Sequence, residues 1–143
     1  MQSVKIRKTG ATARLGRTGF PRLTSATGGA IDIVTGATEP GFNPLDLLYA
    51  SLASCMAMSA RIAASRAGLL GQLRDITVEV RGEKAEEDGR SRIARFDVIF
   101  SIDGDIDDDK RRSILREAER ICTVSNTLSG RHVIEVRLAG EVQ

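Results

Sequence analysis

The chain has 143 residues, a length that points to one domain spanning 1–143, and a formal charge of +2 with acidic and basic residues interleaved. That balance excludes the concentrated basic face of a nucleic-acid binder, and two cysteines are too few for a secreted disulfide scaffold. No apolar run of about 18 residues suggests a membrane span and residues 1–10 lack a signal-peptide core, so neither a membrane nor export is expected and the cytoplasm is the default location.

Residues 3–9 alternate and read as an N-terminal strand. A hairpin follows, with Arg22–Ser25 as one arm, a Thr27-Gly28-Gly29 turn, and Ala30–Val34 as the other. Gly36 to Gly41 is a loop. Asn43 and Pro44 then give a strong helix start, a capping side chain before a proline at the first helical position. The run Leu45–Ala67 contains no Gly or Pro and stops at Gly68, and its first half is so poor in charge that it reads as a buried central helix. Beyond it, Ile76, Val78 and Val80 share one face of a strand. Residues Glu86–Gly89 make a polar turn, and Phe96, Val98, Phe100 and Ile102 line one face of the return strand. Asp105 to Asp109 open a second helix with apolar stripe Ile114, Leu115, Ala118, Ile121 and Cys122. A closing strand is expected with His132, Ile134, Val136 and Leu138 on one face. The order of elements gives an α+β fold, helices segregated against antiparallel sheet.

Few residues carry chemistry. Cys55 sits in the middle of the apolar helix, where the ordinary reading is an inert core thiol whose pKa burial raises. Reactivity there requires a nearby cation or hydrogen-bond donor. Cys122, taken alone, is as bland. The two cysteines and the single histidine, His132, match no zinc-site spacing, so no metal is expected. His132 leaves a Cys–His hydrolase open as a weaker option, although it begins an apolar strand face where a structural histidine is commoner. Neither a GxGxxG nor a P-loop pattern occurs, and no cofactor is expected.

The segment Gly41-Phe42-Asn43-Pro44-Leu45-Asp46-Leu47-Leu48, followed by Ala50-Ser51-Leu52-Ala53-Ser54-Cys55, resembles the signature of the OsmC/Ohr family of peroxidase-like proteins. There an Asn-Pro start opens a long central helix, with a Cys at the spacing that separates Leu45 from Cys55. A second motif, Cys122-Thr123-Val124-Ser125-Asn126-Thr127-Leu128, is similar to the family's Cys-Pro-Val-Ser/His-x-x-Leu at the end of a later helix. The resemblance implies antiparallel sheets around the central helix in an intertwined homodimer, with active sites at the subunit interface. It also implies a thiol peroxidase for organic hydroperoxides and perhaps hydrogen peroxide. Cys55 becomes the peroxidatic thiolate, oxidised to a sulfenic acid. Cys122 resolves it as a disulfide, and an external dithiol, lipoyl-linked in many members, resets the pair.

The family also places an Arg near the thiolate and a Glu to orient that Arg. Arg17 is the match for the Arg, with Arg14 and Arg22 as neighbours in sequence. The Glu position is Leu45 here, and Asp46, one residue on, is both a candidate substitute and a helix-capping carboxylate. Thr123 replaces the proline after the second cysteine. These departures leave a second reading open, a non-catalytic dimeric protein of the same scaffold that binds a small apolar ligand. Met56, Met58, Phe20 and Phe42 are the side chains nearest in sequence to the apolar pocket expected beside Cys55.

Overall fold

A computed structural model describes residues 8–141, which fall into two compact units, Met1–Leu48 and Tyr49–Gln143. In the first unit β1 (Ala11–Arg14), β2 (Arg22–Ser25) and β3 (Ala30–Asp32) form an antiparallel sheet in sequence order. The hairpin expected at residues 22–34 is present, with Gly28 supplying the left-handed residue at its turn (φ +97). Strand β1 was not expected, because its Ala-Thr-Ala-Arg sequence carries no apolar alternation. The strand expected over residues 3–9 lies mostly outside the described residues.

The central helix α1 (Pro44–Arg66) starts where the sequence requires. The Asp46 N–H donates to Asn43 Oδ1 at 2.8 Å, and the Asn43 N–H donates to Asp46 Oδ2 at 3.0 Å. These reciprocal bonds satisfy two helix-end donors at once. The helix ends at Gly68 in the left-handed conformation (φ +72), with the Leu69 N–H returning to the Ala64 carbonyl at 2.8 Å. Contrary to the expectation from sequence, α1 is long and apolar enough to cross a membrane, with 23 residues and a mean hydropathy of 1.4 over its most apolar window. Within the second unit that apolarity has a packing role. Leu52, Met56, Ser59, Ala60, Ala63 and Ala64 are buried at helical spacing along one stripe.

That stripe meets a long hairpin, β4 (Leu73–Glu87) and β5 (Arg90–Gly104), reversed at Asp88 and Gly89, both left-handed (φ +52 and +72). The register pairs Ile76 with Ile102, Val78 with Phe100, Val80 with Val98 and Gly82 with Phe96, which sets these apolar residues on one face. Helix α2 (Asp108–Ile121) is capped by Asp107, whose side chain accepts from the Lys110 N–H at 2.9 Å. Arg111 donates to the carbonyls of Ile102 and Gly104, both at 3.0 Å, and so ties α2 to the end of β5. A short α3 (Thr123–Ser129) follows directly.

Two buried clusters result. The first joins Ala60, Ala63 and Ala64 to Ile106, Ile114 and Ala118. The second joins Leu52 and Met56 to Cys122, and Phe100 packs on both. The alanines let the helices approach closely, and the β-branched and aromatic residues of the hairpin fill the space around them. The closing strand expected at 132–138 is absent. Residues 131–138 have no regular structure, and Val133, Ile134, Val136 and Leu138 are 73–91% exposed. A strand needs a partner edge to satisfy its backbone groups, and none of the described strands pairs with this segment.

Tyr49 explains the glycine in the middle of β4. Its ring lies over Gly82 so closely that a Cβ there would collide with the phenol, and it meets Phe96 edge to face with centroids 6.2 Å apart. Gly82→Ala is therefore expected to cost about 1–3 kcal/mol in urea unfolding. Most of that loss should disappear in a Tyr49→Ala background, as a double-mutant cycle would show.

Candidate functional site

Both cysteines lie in the second unit, and the fold brings them together. Cys55 is on α1 and partly exposed, and it packs on the cluster formed by Leu52, Met56 and Cys122. Cys122 is fully buried and occupies the corner between α2 and α3. Its N–H bonds to the Ala118 carbonyl at 3.0 Å and closes α2. Its Sγ accepts from the Ser125 N–H at 3.4 Å and opens α3, a sulfur in the place an oxygen usually takes at a helix start. The corner has an extended backbone (φ −70, ψ 110) at Cys122, with Thr123 as the first residue of α3.

The two thiols act on each other, and their surroundings shift them in opposite directions. Burial pushes the Cys55 thiol up, but four donors outweigh it and hold Cys55 below the ordinary thiol value. These are the Cys122 thiol, the Val124 N–H, the Ser59 hydroxyl and the Thr123 N–H. Burial pushes Cys122 up as well, and its S–H bond to Cys55 and the charge on Cys55 push it further. The N–H groups of Ser125 and Val124 only partly offset this. Of the pair, the accessible sulfur is therefore the one whose ionisation is eased and the buried sulfur the one whose ionisation is opposed.

A pocket of about 370 Å³ adjoins the pair. It is lined by Leu52 and Met56 of α1, Phe96, Val98 and Phe100 of β5, and residues of α2 and α3 that include Leu115, Glu119, Ser125 and Leu128. Neither cysteine is among its lining residues. Of the pocket residues expected from sequence, Met56 takes part. Met58 is exposed on α1, and Phe20 and Phe42 are exposed in the first unit. The β5 and α3 residues escape a sequence reading because they reach the pocket only through the hairpin register and the α2–α3 corner. Ser59 was also missed, although its position four residues after Cys55 on a helix was a usable signal.

The remaining candidates are placed as follows. Arg17 lies in the exposed bend between β1 and β2 in the first unit. Arg14 ends β1, and Arg22 makes an exposed ion pair with Asp32 at 3.8 Å. Asp46 caps α1 through Oδ2, one of the two roles considered for it. His132 sits in the irregular exposed segment and is not among the groups acting on either sulfur. No cluster of three or more metal-ligating side chains occurs among the described residues.

The OsmC-like protein family model matches residues 36–137, a span that includes both cysteines. Among solved structures, the chain resembles an organic hydroperoxide resistance protein from Elizabethkingia anophelis at TM-score 0.73 and 20% identity, covering 88% of this chain and 91% of that one. An OsmC-like protein from Mycoplasma pneumoniae superposes at TM-score 0.73 and 21% identity, covering 87% and 89%. The organic hydroperoxide resistance protein OhrB of Bacillus subtilis gives TM-score 0.64 and 24% identity over 87% and 92%. At these identities the likeness establishes the fold. In sequence, an uncharacterised protein of Methanocaldococcus jannaschii is 26% identical over 94 residues, which are 66% of this chain and about half, 48%, of that protein.

The asymmetry of the thiols has a direct readout. Folding favours the Cys55 thiolate, so this group adds stability that is present above the ordinary thiol range and lost as pH falls through the folded value. Cys122 has the opposite sign. Its contribution is present at low pH and lost as pH rises through its raised value. Iodoacetamide alkylation followed by mass spectrometry over roughly pH 5 to 10 should modify Cys55 at lower pH than free cysteine, with Cys122 protected throughout. Replacing the donor, Cys122→Ala, should move the Cys55 midpoint upward.

Proposed function

The chain belongs to the OsmC-like protein family, and on that premise we propose that it is a thiol-dependent peroxidase reducing organic hydroperoxides through Cys55 and Cys122. The observation that carries the proposal is the paired sulfurs, the partly exposed one held below the ordinary thiol value and the buried one pushed above it. A peroxidase with two cysteines needs that division. The thiolate must meet the peroxide, and the second sulfur must wait, protected, within reach of the product.

In the proposed cycle the Cys55 thiolate attacks the distal oxygen of the hydroperoxide. The O–O bond breaks, an S–O bond forms, and the alkoxide leaves and takes a proton to become the alcohol. The Cys55 sulfur is now a sulfenic acid. Cys122 ionises once the neighbouring thiolate charge is consumed, since that charge is one of the causes that held it protonated. Its sulfur then attacks Cys55, the S–O bond breaks, the hydroxyl leaves as water with the Cys122 proton, and a disulfide remains. An external dithiol, such as a lipoyl group, reduces the disulfide and closes the cycle. The apolar pocket built by Met56, Phe96, Val98, Phe100 and Leu128 suits the carbon body of an organic peroxide better than hydrogen peroxide.

In this proposal Arg17 is the cation that assists the thiolate and Asp46 the carboxylate that orients it. Both assignments rest on the family resemblance. The functional unit is a homodimer in which a second copy covers the apolar segment Val133–Leu138, and the cytoplasm, a reducing compartment, is the setting. What favours the dimer is a run of four large apolar side chains left 73–91% exposed.

Reduced protein should consume cumene hydroperoxide faster than hydrogen peroxide. Cys55→Ser should abolish consumption, and Cys122→Ser should stall after one equivalent. A folded, reduced wild type that consumes neither peroxide overturns the assignment in favour of a ligand-binding scaffold. For the assembly, sedimentation velocity should give a dimer, and the double substitution Ile134→Asp with Val136→Asp should shift it to monomer.

A further inference from the structure

The thiolate of Cys55 needs donors, and the proposed peroxidase reading assigns that part to an arginine. A second donor is present on the same helix. Ser59 lies four residues after Cys55, one helical turn away on the same stripe. Side chains on a helix lean back toward its N-terminus, so the Ser59 side chain is directed at the turn that carries Cys55. It is a buried polar residue, 6% exposed, in a stripe otherwise made of Leu52, Met56, Ala60, Ala63 and Ala64. A hydroxyl in such a stripe is costly to bury without a partner, and alanine at 59 would continue the pattern of its neighbours with better helix propensity. The Cys55 sulfur is the group on which this hydroxyl acts, helping to hold it below the ordinary thiol value.

We propose that Ser59 is a further catalytic residue, whose hydroxyl donates a hydrogen bond to the Cys55 sulfur and holds it as the thiolate that attacks the peroxide. The inference rests on the peroxidase reading for its role in turnover, but the hydrogen bond itself is independent of any substrate. The bond to an ionised sulfur is charge-assisted and stronger than one to the neutral thiol, so it acts on the ionisation and not merely on packing. Because a hydroxyl carries no charge, its support does not weaken with salt as that of an arginine in solvent does. The shift of the Cys55 thiol below its ordinary value includes this bond among its causes, after burial, the Cys122 thiol and the Val124 N–H.

The test is Ser59→Ala, a substitution that removes one oxygen and keeps a good helix former, compared with wild type by the pH profile of Cys55 alkylation. Its midpoint should rise, and alkylation at neutral pH should slow by about three- to tenfold, with the rate at high pH unchanged. Ser59→Thr, which keeps the hydroxyl, should restore most of the rate. Superposed wild-type and Ser59→Ala profiles, or a lower midpoint in the variant, overturn the proposal. A Ser59→Ala protein that unfolds at lower temperature but keeps the wild-type profile shows a structural hydroxyl and overturns it equally. The profile is read without peroxide, so a wild type that turns over no hydroperoxide defeats the peroxidase reading while leaving the role of Ser59 decided by its own result.

Discussion

One interaction organises the site, that between the Cys122 thiol and the sulfur of Cys55, which holds Cys55 down and pushes Cys122 up. A buried thiol on its own is a poor nucleophile, because an apolar environment disfavours the charged form. Two thiols in contact change that balance when only one of them can keep its proton. The Val124 and Thr123 N–H groups and the Ser59 hydroxyl act on Cys55 and ease its ionisation, and Cys55 in turn helps push Cys122 up.

The rest of the second unit serves to hold that contact. Cys122 cannot drift, since its backbone closes α2 and its sulfur opens α3. Helix α1 is held by the alanine stripe against Ile106, Ile114 and Ala118, and by Leu52 and Met56 against Cys122 itself. The β4–β5 hairpin contributes Val78, Val80, Phe96 and Val98 to the same cluster through a register fixed by the Asp88-Gly89 reversal. A slip of one residue in that register would turn the apolar face outward and remove the wall behind the cysteines.

The exposed apolar residues at 133–138 are the counterpart of this economy. A chain of this size buries a limited core, and here the buried residues of the second unit gather in two clusters along α1. The first unit likewise leaves Leu15, Phe20 and Phe42 exposed on or beside a three-stranded sheet of short strands. Three strands of three or four residues bury little by themselves. Such surfaces are what an obligate assembly covers.

Much of this was legible in the chain itself. Asn43, Pro44 and Gly68 fixed the ends of α1, because capping and left-handed turns are local chemistry that a short window contains. The alternation at 76–80 and 96–102 identified the two strands and their buried faces, since side-chain direction has a period of two wherever a strand forms. The α3 turn was missed, because Thr123–Ser129 is polar and its cap is a cysteine sulfur, which no propensity rule anticipates. The strand expected at 132–138 failed for a different reason. Its alternation is real, but a strand exists only with an edge to pair with. By itself, then, the sequence determined the central helix, the long hairpin, the second helix, the family and the two cysteines worth watching. The tertiary structure alone decided which thiol is held down and which is pushed up, because that depends on groups from α1 and the α2–α3 corner meeting at one point.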